Sequence, residues 1–160
     1  MRLRAAESAD VDAIMAWFPD ESSIRNWAGP NFDYPFDRAS FHRDCKWRDM
    51  ASFCVDSHGV LQGFGQFYNR YGRANLARLV VSPESRGCGL GQFLVNALIE
   101  ESRSVLGLSE AGLFVYRNNE SAYCCYRAAG FEVAAMPDDV DLGDESRYLV
   151  RTIRPARVGS

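Results

Sequence analysis

The sequence predicts a mixed α/β domain in which one mostly antiparallel central sheet carries helices on both of its faces. Three observations lead to this fold class. Apolar residues keep helical spacing through most of the first fifty positions. A strand pattern with tight turns replaces it between residues 51 and 81, and helical and strand patterns then alternate to residue 153. Such an order is typical of a sheet that is covered by helices.

The N-terminal third is predicted to contain one strand and three helices. Residues 2–6 alternate in polarity and favour a first strand. Asp10 is a candidate cap for the first helix, and Pro19 ends it. The predicted helices span residues 10–18, 21–27 and 37–47.

The remaining two thirds are predicted to alternate between strands and helices. Three antiparallel strands are expected at 52–55, 61–68 and 75–81, with turns at 57–59 and 69–72. A long amphipathic helix then extends over residues 90–105 and is ended by Gly107. The closing elements are a strand at 112–116, a helix at 119–129, and strands at 131–135 and 148–153.

Composition limits the class of protein. The 160 residues, 47% of them hydrophobic and 24% charged, fit a single globular domain over residues 1–160. A net charge of −3 does not favour nucleic acid or an anionic membrane as a partner. The start of the chain does not resemble a signal peptide, and the five cysteines form no CxxC pair. We therefore expect a cytoplasmic protein without a metal site.

The junction between the strand at 75–81 and the long helix has the most informative composition. It reads Arg86-Gly87-Cys88-Gly89-Leu90-Gly91, and no carboxylate occurs from Ser85 until Glu100. Acidic side chains usually occupy a helix start, because they favour its positive end. A start with three glycines, one arginine and no acid leaves its N–H groups open to an external anion, such as a pyrophosphate.

Three other interpretations of this junction fit the sequence to different degrees. A glycine-rich turn that only permits tight packing stays open on this motif alone. A P-loop does not fit, because its lysine and Ser/Thr are absent. A dinucleotide-binding fingerprint does not fit either, because the segment follows antiparallel strands and lacks the acidic residue at the next strand end.

Two motifs together resemble the GNAT superfamily of acyl-CoA N-acyltransferases. The family's central motif is Arg/Gln-x-x-Gly-x-Gly/Ala between a strand and a long helix, as at residues 86–91. A second signature, Asn-x-x-Ala-x-x-x-Tyr-x-x-x-Gly-Phe, occurs later in the chain. Its matching residues are Asn119, Ala122, Tyr126, Gly130 and Phe131. The order of elements from residue 2 to residue 153 is also similar to that family.

The resemblance implies acetyl-CoA as the cosubstrate and assigns roles to individual residues. Backbone groups of three strand residues would bind the pantetheine arm, and the N–H groups of residues 87–92 would bind the pyrophosphate. Asn119 would contact the pantetheine or anchor its helix. Tyr126 would be the general acid that protonates the departing thiolate, although a core tyrosine on an amphipathic helix is the alternative. The implied cofactor-binding residues are Leu79, Val80, Val81, Arg86, Gly87, Cys88, Gly89, Leu90, Gly91, Gln92 and Asn119.

One position departs from a subgroup of the family. The ribosomal-protein alanine acetyltransferases have a glutamate base five residues before the helix asparagine, and this chain has Phe114 there. The sequence therefore names no general base. Glu84 lies near the loop, but a surface residue in a turn is the favoured interpretation.

The first helices and the loop after them are rich in aromatic residues. In the superfamily these segments usually line the acceptor site, where aromatic rings can hold an amine by stacking or cation–π contact. About half of the rings are expected to pack in the core instead. The set is Trp17, Phe18, Trp27, Phe32, Tyr34, Phe36 and Trp47.

The sequence thus favours an N-acetyltransferase that acts on a primary amine of a small molecule or peptide by direct attack on the thioester. The alternative is a CoA-binding sensor or interaction module without turnover, which the absence of the glutamate keeps open. A donor with a longer acyl group is a third hypothesis. Expected partners are an amine acceptor of unassigned identity and, in an assembly of two, a second copy of the chain.

Overall fold

In a computed structural model of the chain, the described residues are 1–29, 32–47, 49–87, 89–140 and 145–153. They form one seven-stranded sheet and five α-helices. The strands are β1 (Arg2–Ala5), β2 (Ala51–Ser57), β3 (Val60–Arg70), β4 (Arg73–Val81), β5 (Glu110–Tyr116), β6 (Glu132–Ala134) and β7 (Ser146–Thr152). The helices are α1 (Val11–Met15), α2 (Glu21–Ala28), α3 (Arg38–Asp44), α4 (Leu90–Leu106) and α5 (Glu120–Ala128).

The sheet confirms the predicted fold class. Its strand order is β1-β2-β3-β4-β5-β7-β6, and its neighbours pair antiparallel except for β4 and β5. The parallel pair results from the crossover through α4, which returns the chain to the sheet in the same direction. The turns at 57–59 and 69–72 join β2 to β3 and β3 to β4 as predicted.

Each face of the sheet has its own apolar core. The core below α4 and α5 includes Phe67, Leu94 and Leu98, while the core below α1, α2 and α3 includes Phe41 and Phe64. Alternate residues of one strand supply both cores, because successive side chains of a strand point to opposite faces. Helices therefore cover both faces, as the two periodicities in the sequence predicted.

Two helices are shorter than predicted. The chain beyond Met15 continues in i→i−3 hydrogen bonds, from Trp17 N–H to the Ile14 carbonyl and from Phe18 N–H to the Met15 carbonyl, so the last predicted turn is not α-helical. The third helix ends at Asp44 rather than near Trp47. Its continuation is interrupted because Lys46 has a left-handed φ of 52°.

The predicted capping role of Asp10 is wrong for the α-helix itself. Asp10 precedes α1, but its side chain accepts no capping hydrogen bond from that helix. Its carboxylate instead accepts the Glu7 N–H at 2.8 Å and two hydrogen bonds from Arg4 at 2.9 Å each. Asp10 therefore holds the 3-10 turn at 8–10 against the first strand.

Candidate active site

The candidate site is a cleft where the two parallel strands separate. β4 and β5 pair at Ala74↔Ala111 and Asn75↔Gly112, and at no later position among the described residues. Beyond these pairs the strands diverge, and both line a cleft of about 910 Å³. That volume lies within the usual range of ligand sites. The diverging edges carry backbone N–H and C=O groups without a neighbouring strand, so an extended ligand can hydrogen-bond there.

A bulge in β4 shapes one wall of the cleft. The register between β3 and β4 shifts between Phe64 and Gln66, and Arg78 opposite this shift has a left-handed φ of 52°. Gly65 accommodates the bulge. A Cβ at Gly65 would lie 2.7 Å from Leu79 Cδ2 and 2.5 Å from Leu98 Cδ1.

The three predicted strand residues line the cleft, and their side chains serve the two cores. The Leu79 side chain packs on the α4 side of the sheet, whereas Val80 belongs to the core below α1 to α3. Val81 is partly buried on the same side as Leu79. What these three residues can offer a ligand is therefore their backbone, as the sequence analysis expected.

The start of α4 forms the far end of the cleft. Gly89 is the N-cap residue with φ 76°, no side chain caps the helix, and the first turn contains no acid. The N–H groups of the first turn thus have no partner within the helix, and Gly91 and Gln92 of this turn line the cleft. Helix N-termini of this kind bind anions through free N–H groups and the helix dipole. The cleft lining includes Arg86, Gly87, Gly89, Gly91 and Gln92.

The glycines of this segment have different tasks. Gly87 and Gly89 have φ values of 82° and 76°, and a Cβ on either would meet nothing within 4 Å. Both glycines therefore supply left-handed backbone with open space beside it. Gly91 differs, because a Cβ there would lie 3.0 Å from the Cys125 sulfur. Gly91 allows α4 to pack closely on α5.

The other predicted members of the anion-binding segment lie in different environments. Leu90 is buried and anchors the first turn of α4 in the core. The Arg86 side chain is exposed at the rim, and its Nε donates to the Val81 carbonyl at 3.4 Å. Cys88 lies outside the described residues.

Tyr126 lies on α5 and lines the middle of the cleft. Its ring is partly buried against Phe131, with ring centroids 6.3 Å apart. No described residue hydrogen-bonds to its hydroxyl, so the group is available to a ligand. Burial raises the pKa of Tyr126 above its ordinary value of 10.0. The phenol therefore keeps its proton at neutral pH and can act as a proton donor.

Asn119 performs a structural task at the start of α5. Its side-chain oxygen accepts the Ala122 N–H at 3.3 Å and so caps the helix. Asn119 also lines the cleft. The family resemblance implied two alternative roles for Asn119, and this hydrogen bond is consistent with the one in which Asn119 anchors α5.

The other end of the cleft combines Phe114 with three residues that the sequence did not single out, Tyr68, Arg70 and Asn75. Tyr68 and Asn75 are cross-strand partners, and Arg70 follows on the same face of β3. Phe114 stacks on Tyr148 with centroids 4.7 Å apart, and the Arg70 guanidinium lies 5.1 Å above the Phe114 ring. The only signal in the sequence is weak: Gln66, Tyr68 and Arg70 recur at alternate positions of one predicted strand, but Asn69 interrupts the apolar pattern of the other face.

Most of the aromatic residues in the N-terminal helices and the loop after them pack in the core. Phe18 and Trp27 line the cleft, with ring centroids 4.4 Å apart, and the indole N–H of Trp27 is buried without a partner. Tyr34 is 40% exposed. The remaining rings pack in the core below α1 to α3 and are Trp17, Phe32, Phe36 and Trp47.

Among the described residues, no group of three or more His, Cys, Asp or Glu side chains could hold a metal ion.

A second cavity of about 820 Å³ lies among α4, α5, β6 and β7, and none of the predicted site residues lines it. No helix in the described part of the chain is long and apolar enough to cross a membrane.

Comparison with known proteins assigns the class. Residues 21–131 match the family described as "Acetyltransferase (GNAT) family". The chain therefore belongs to the GNAT family of acetyltransferases. The family recognised from the two sequence motifs is thus confirmed.

Individual relatives agree with this class. The chain is 34% identical over 96 residues to mycothiol acetyltransferase of Salinispora arenicola (strain CNS-205), a match to 56% of this chain and 31% of that protein. It thus matches about a third of the length of this relative. The structure of yncA, a putative acetyltransferase from Salmonella typhimurium with acetyl-CoA, aligns with a TM-score of 0.69 and 20% identity over 100% of this chain and 98% of that chain.

Two more solved structures share the fold. Ribosomal-protein-alanine N-acetyltransferase from Brucella melitensis has a TM-score of 0.70 and 18% identity, covering 96% of this chain and all of that chain. Spermidine N-acetyltransferase from Vibrio cholerae, in complex with CoA and spermine, has a TM-score of 0.70 and 20% identity, covering 94% of each chain. At such identities the likeness establishes the fold.

Proposed function

We propose that the chain is an acetyl-CoA-dependent N-acetyltransferase that acetylates a primary amine of a small molecule or peptide. One observation carries the proposal. A single cleft joins the uncapped start of α4, the open edges of β4 and β5, and the Tyr126 hydroxyl. The names of the similar proteins support acetyl transfer, and they refer to different compounds, namely mycothiol, a ribosomal-protein alanine and spermidine.

The residues present fit the proposed cosubstrate. The pyrophosphate would lie at the first turn of α4, where Gly87 and Gly89 leave open space and no acid repels it. Arg86 at the rim adds a positive charge. The pantetheine arm would lie between β4 and β5 and bind the backbone of residues 79–81, as an added strand binds a sheet edge. Asn119 would hold α5 in place along this groove.

The bound thioester supplies an acetyl group whose carbonyl carbon bonds to the amine nitrogen while its bond to sulfur breaks. Backbone N–H groups of β4 near Val80 would stabilise the charge that develops on the carbonyl oxygen, a contribution often worth about 3 kcal/mol for each donor. Tyr126 would donate its proton to the departing sulfur and regain one from solvent. The products are the N-acetylated amine and the free thiol.

The proton of the amine leaves by another route. A primary amine with a pKa near 10 is mostly protonated at neutral pH and must lose a proton before it attacks. No carboxylate lines the described part of the cleft, and Phe114 occupies the position of the subgroup's glutamate base. We therefore assign this proton to water in the cleft, so activity should rise with pH toward the pKa of the acceptor amine.

Thiol release from acetyl-CoA across a panel of primary amines tests the proposal. We expect amine-dependent thiol release together with calorimetric binding of acetyl-CoA. Binding without release for any amine would favour the CoA-binding module instead. Absence of binding would contradict the cofactor assignment, and a panel of longer acyl donors identifies the preferred acyl group.

Three further parts of the proposal concern the molecule as a whole. We propose that residues 1–160 form one domain, that the protein is cytoplasmic, and that two copies associate. Light scattering measures the last of these directly, and cell fractionation measures the second.

A further inference from the structure

The charged residues that line the cleft are all cationic. They are Lys46, Arg70, Arg78 and Arg86, and no Asp or Glu is among the described lining residues. Arg86 adjoins the segment proposed for the pyrophosphate. The other three require a different explanation, because the acceptor expected from the reaction is itself an amine.

Arg70 is too far from the pyrophosphate segment to serve it. It pairs with Arg73 at the start of β4, whereas α4 begins after the end of β4 at Val81. At roughly 3.3 Å per residue, the two ends of this strand are more than about 20 Å apart. Arg70 therefore lies at the acceptor end of the cleft.

The guanidinium of Arg70 is positioned by neutral groups. It lies 5.0 Å above the Tyr71 ring and 5.1 Å above the Phe114 ring, and Nη1 donates to the Tyr68 hydroxyl at 3.3 Å. No ion pair with a described carboxylate neutralises it. Aromatic rings attract the flat face of a guanidinium group. Its N–H groups point outward along the edge, where they can bind an anion in bidentate geometry.

Arg78 adds positive charge on the same wall. Nη1 donates to Gln66 Oε1 at 3.0 Å and Nη2 to the Asp44 carbonyl at 3.3 Å, and both of these acceptors are neutral. The nearby Asp44 carboxylate accepts hydrogen bonds from Arg43 Nε and the Asp33 N–H and forms no ion pair with Arg78 among the described residues.

Asn75 adds a neutral polar group at the same end of the cleft. The residue is 3% exposed, it lines the cleft opposite Tyr68, and its Oδ1 is buried without a donor. Its amide therefore brings no negative charge that would offset the nearby arginines.

Acids occur around the cleft but outside its lining, among them Asp44 beside Arg78 and Glu110, which pairs with Arg73. Asp139 is exposed and accepts the Tyr71 hydroxyl at 2.6 Å. Glu145 is exposed, and burial together with the charge of Glu145 raises the pKa of Tyr116. None of these carboxylates pairs with Arg70, so the wall that faces the acceptor stays positive.

We propose that the amine acceptor carries an anionic group, a carboxylate or a phosphate, which Arg70 binds at the end of the cleft away from the start of α4. This inference rests on the proposed function and specifies its substrate class. It excludes polyamines as preferred acceptors, because they would bring further positive charge to Arg70 and Arg78.

Titration of the CoA-loaded protein with acceptors paired by charge tests the inference without turnover. The pairs are amino acids and short peptides against their carboxamides, and 2-aminoethyl phosphate against 2-aminoethanol, with spermidine as the cationic probe. We expect the anionic member of a pair to bind at least about tenfold more tightly, as for a charge-assisted hydrogen bond. The two kinds of pair distinguish carboxylate from phosphate recognition.

Equal or tighter binding of the neutral members or of spermidine would overturn the inference, and so would failure of every anionic member to bind. Thiol release is measured separately on the same acceptors. Selective anion binding without thiol release would contradict the proposed function and leave the charge preference standing, so the two failures are distinguishable.

Replacement of Arg70 localises the effect. Arg70→Gln should raise KM for anionic acceptors about tenfold or more, leave KM for their neutral partners unchanged, and leave the Kd of acetyl-CoA unchanged. Arg70→Lys should recover part of the affinity. Arg2→Gln removes the same charge from an exposed position on β1 and should change none of these values. An equal loss for both members of a pair, at unchanged Tm, would contradict the assignment to Arg70.

Discussion

Tyr126 meets two requirements of a proton donor to a thiolate. Its hydroxyl is in the cleft without a described protein partner, and a phenol keeps its proton at neutral pH. Burial raises its pKa further, which retains the proton but makes its transfer less favourable. Ionisation of this phenol therefore does not limit activity at neutral or moderately alkaline pH. An Asp or Glu with an ordinary pKa could not fill this role there, because its carboxyl group would have lost its proton already.

Replacement of Tyr126 by Phe should lower kcat by roughly 10²–10⁴, the usual contribution of a general acid. The Kd of acetyl-CoA should change little, since the ring remains. Steady-state kinetics and calorimetry measure both quantities.

Tyr123→Phe is a matched control for this change. Tyr123 lies on the same helix, and its ring is 4.2 Å from the Arg147 guanidinium rather than in the cleft. The Tyr123→Phe enzyme should keep a normal kcat. A Tyr126→Phe enzyme with unchanged kcat would remove Tyr126 from the mechanism.

Single residues differ in how far sequence alone predicts their task. Tyr126 and the motif residues Arg86, Gly87, Gly89 and Gly91 line the same cleft, because their spacing along the chain reflects a fixed strand–helix geometry. Asn75 and Arg70 escape prediction. Their importance depends on which edge of β4 is left without a partner, and pairing of that edge is a long-range property.

At the scale of elements, the start of α4 depends on backbone conformation more than on side chains. Gly89 has a left-handed φ, and the space beside it is open. Gly89→Val should therefore weaken acetyl-CoA binding at least about tenfold, because the new side chain would occupy the space proposed for the pyrophosphate. Calorimetric titration with acetyl-CoA measures the loss.

Strain alone must be separated from this effect. A β-branched residue at a left-handed position costs about 1–2 kcal/mol in any case. Gly59→Val provides the comparison, since Gly59 has φ 78°, nothing within 4 Å of its Cβ, and a position in the β2–β3 turn. If both variants lose the same stability and keep acetyl-CoA affinity, the pyrophosphate assignment is wrong.

The start of α5 depends on a side chain instead. Asn119→Ala removes the cap on Ala122 N–H and should lower the free energy of unfolding by about 1 kcal/mol. Asn119→Ser should restore most of it, because serine is also a good cap. Denaturant unfolding measures both variants. If the serine variant were stable but bound acetyl-CoA poorly, Asn119 would contact the ligand directly.

Element types were predicted better than element ends. The glycines at 107 and 130 follow the ends of α4 and α5 as expected, because a left-handed residue stops an α-helix wherever it occurs. The ends of α1 and α3 were predicted too late. Apolar spacing continues to Phe18 and Trp47, but those rings reach the core from irregular backbone. The spacing of apolar residues in a sequence reflects which residues are buried. Residues of well-packed turns are buried as helical residues are, so the spacing does not mark where a helix ends.

At the scale of the whole molecule, a charged cluster connects the edge of the sheet to the layer of α1, α2 and α3. Arg4 on β1 donates to Asp56 on β2 at 2.6 Å and to both Asp10 oxygens at 2.9 Å. The side chains of Arg4 and Asp10 are 25% and 11% exposed. Such half-buried, charge-assisted bonds are stronger than ion pairs at the surface.

This cluster should make stability depend on pH. The hydrogen bond from Arg4 and the Glu7 N–H lower the pKa of Asp10 below its ordinary value of 3.8, although burial opposes the shift. A carboxyl group with a depressed folded-state pKa contributes stability that is fully present above its unfolded pKa. The contribution is lost as the pH falls from about 4 through the lower folded-state pKa.

Asp10→Asn should therefore lower the free energy of unfolding at pH 7 by roughly 1.5–3 kcal/mol, the range for hydrogen bonds to charged groups. The difference from the wild type should shrink as the pH falls below about 4, since the wild type then loses the same interaction. Urea unfolding at a series of pH values measures both effects. Asp49→Asn, at an exposed aspartate outside the ion pairs of the described residues, should differ little from the wild type throughout. If the difference in free energy of unfolding between Asp10→Asn and the wild type stayed constant across the acidic range, the charge of the Asp10 carboxylate would not contribute to stability.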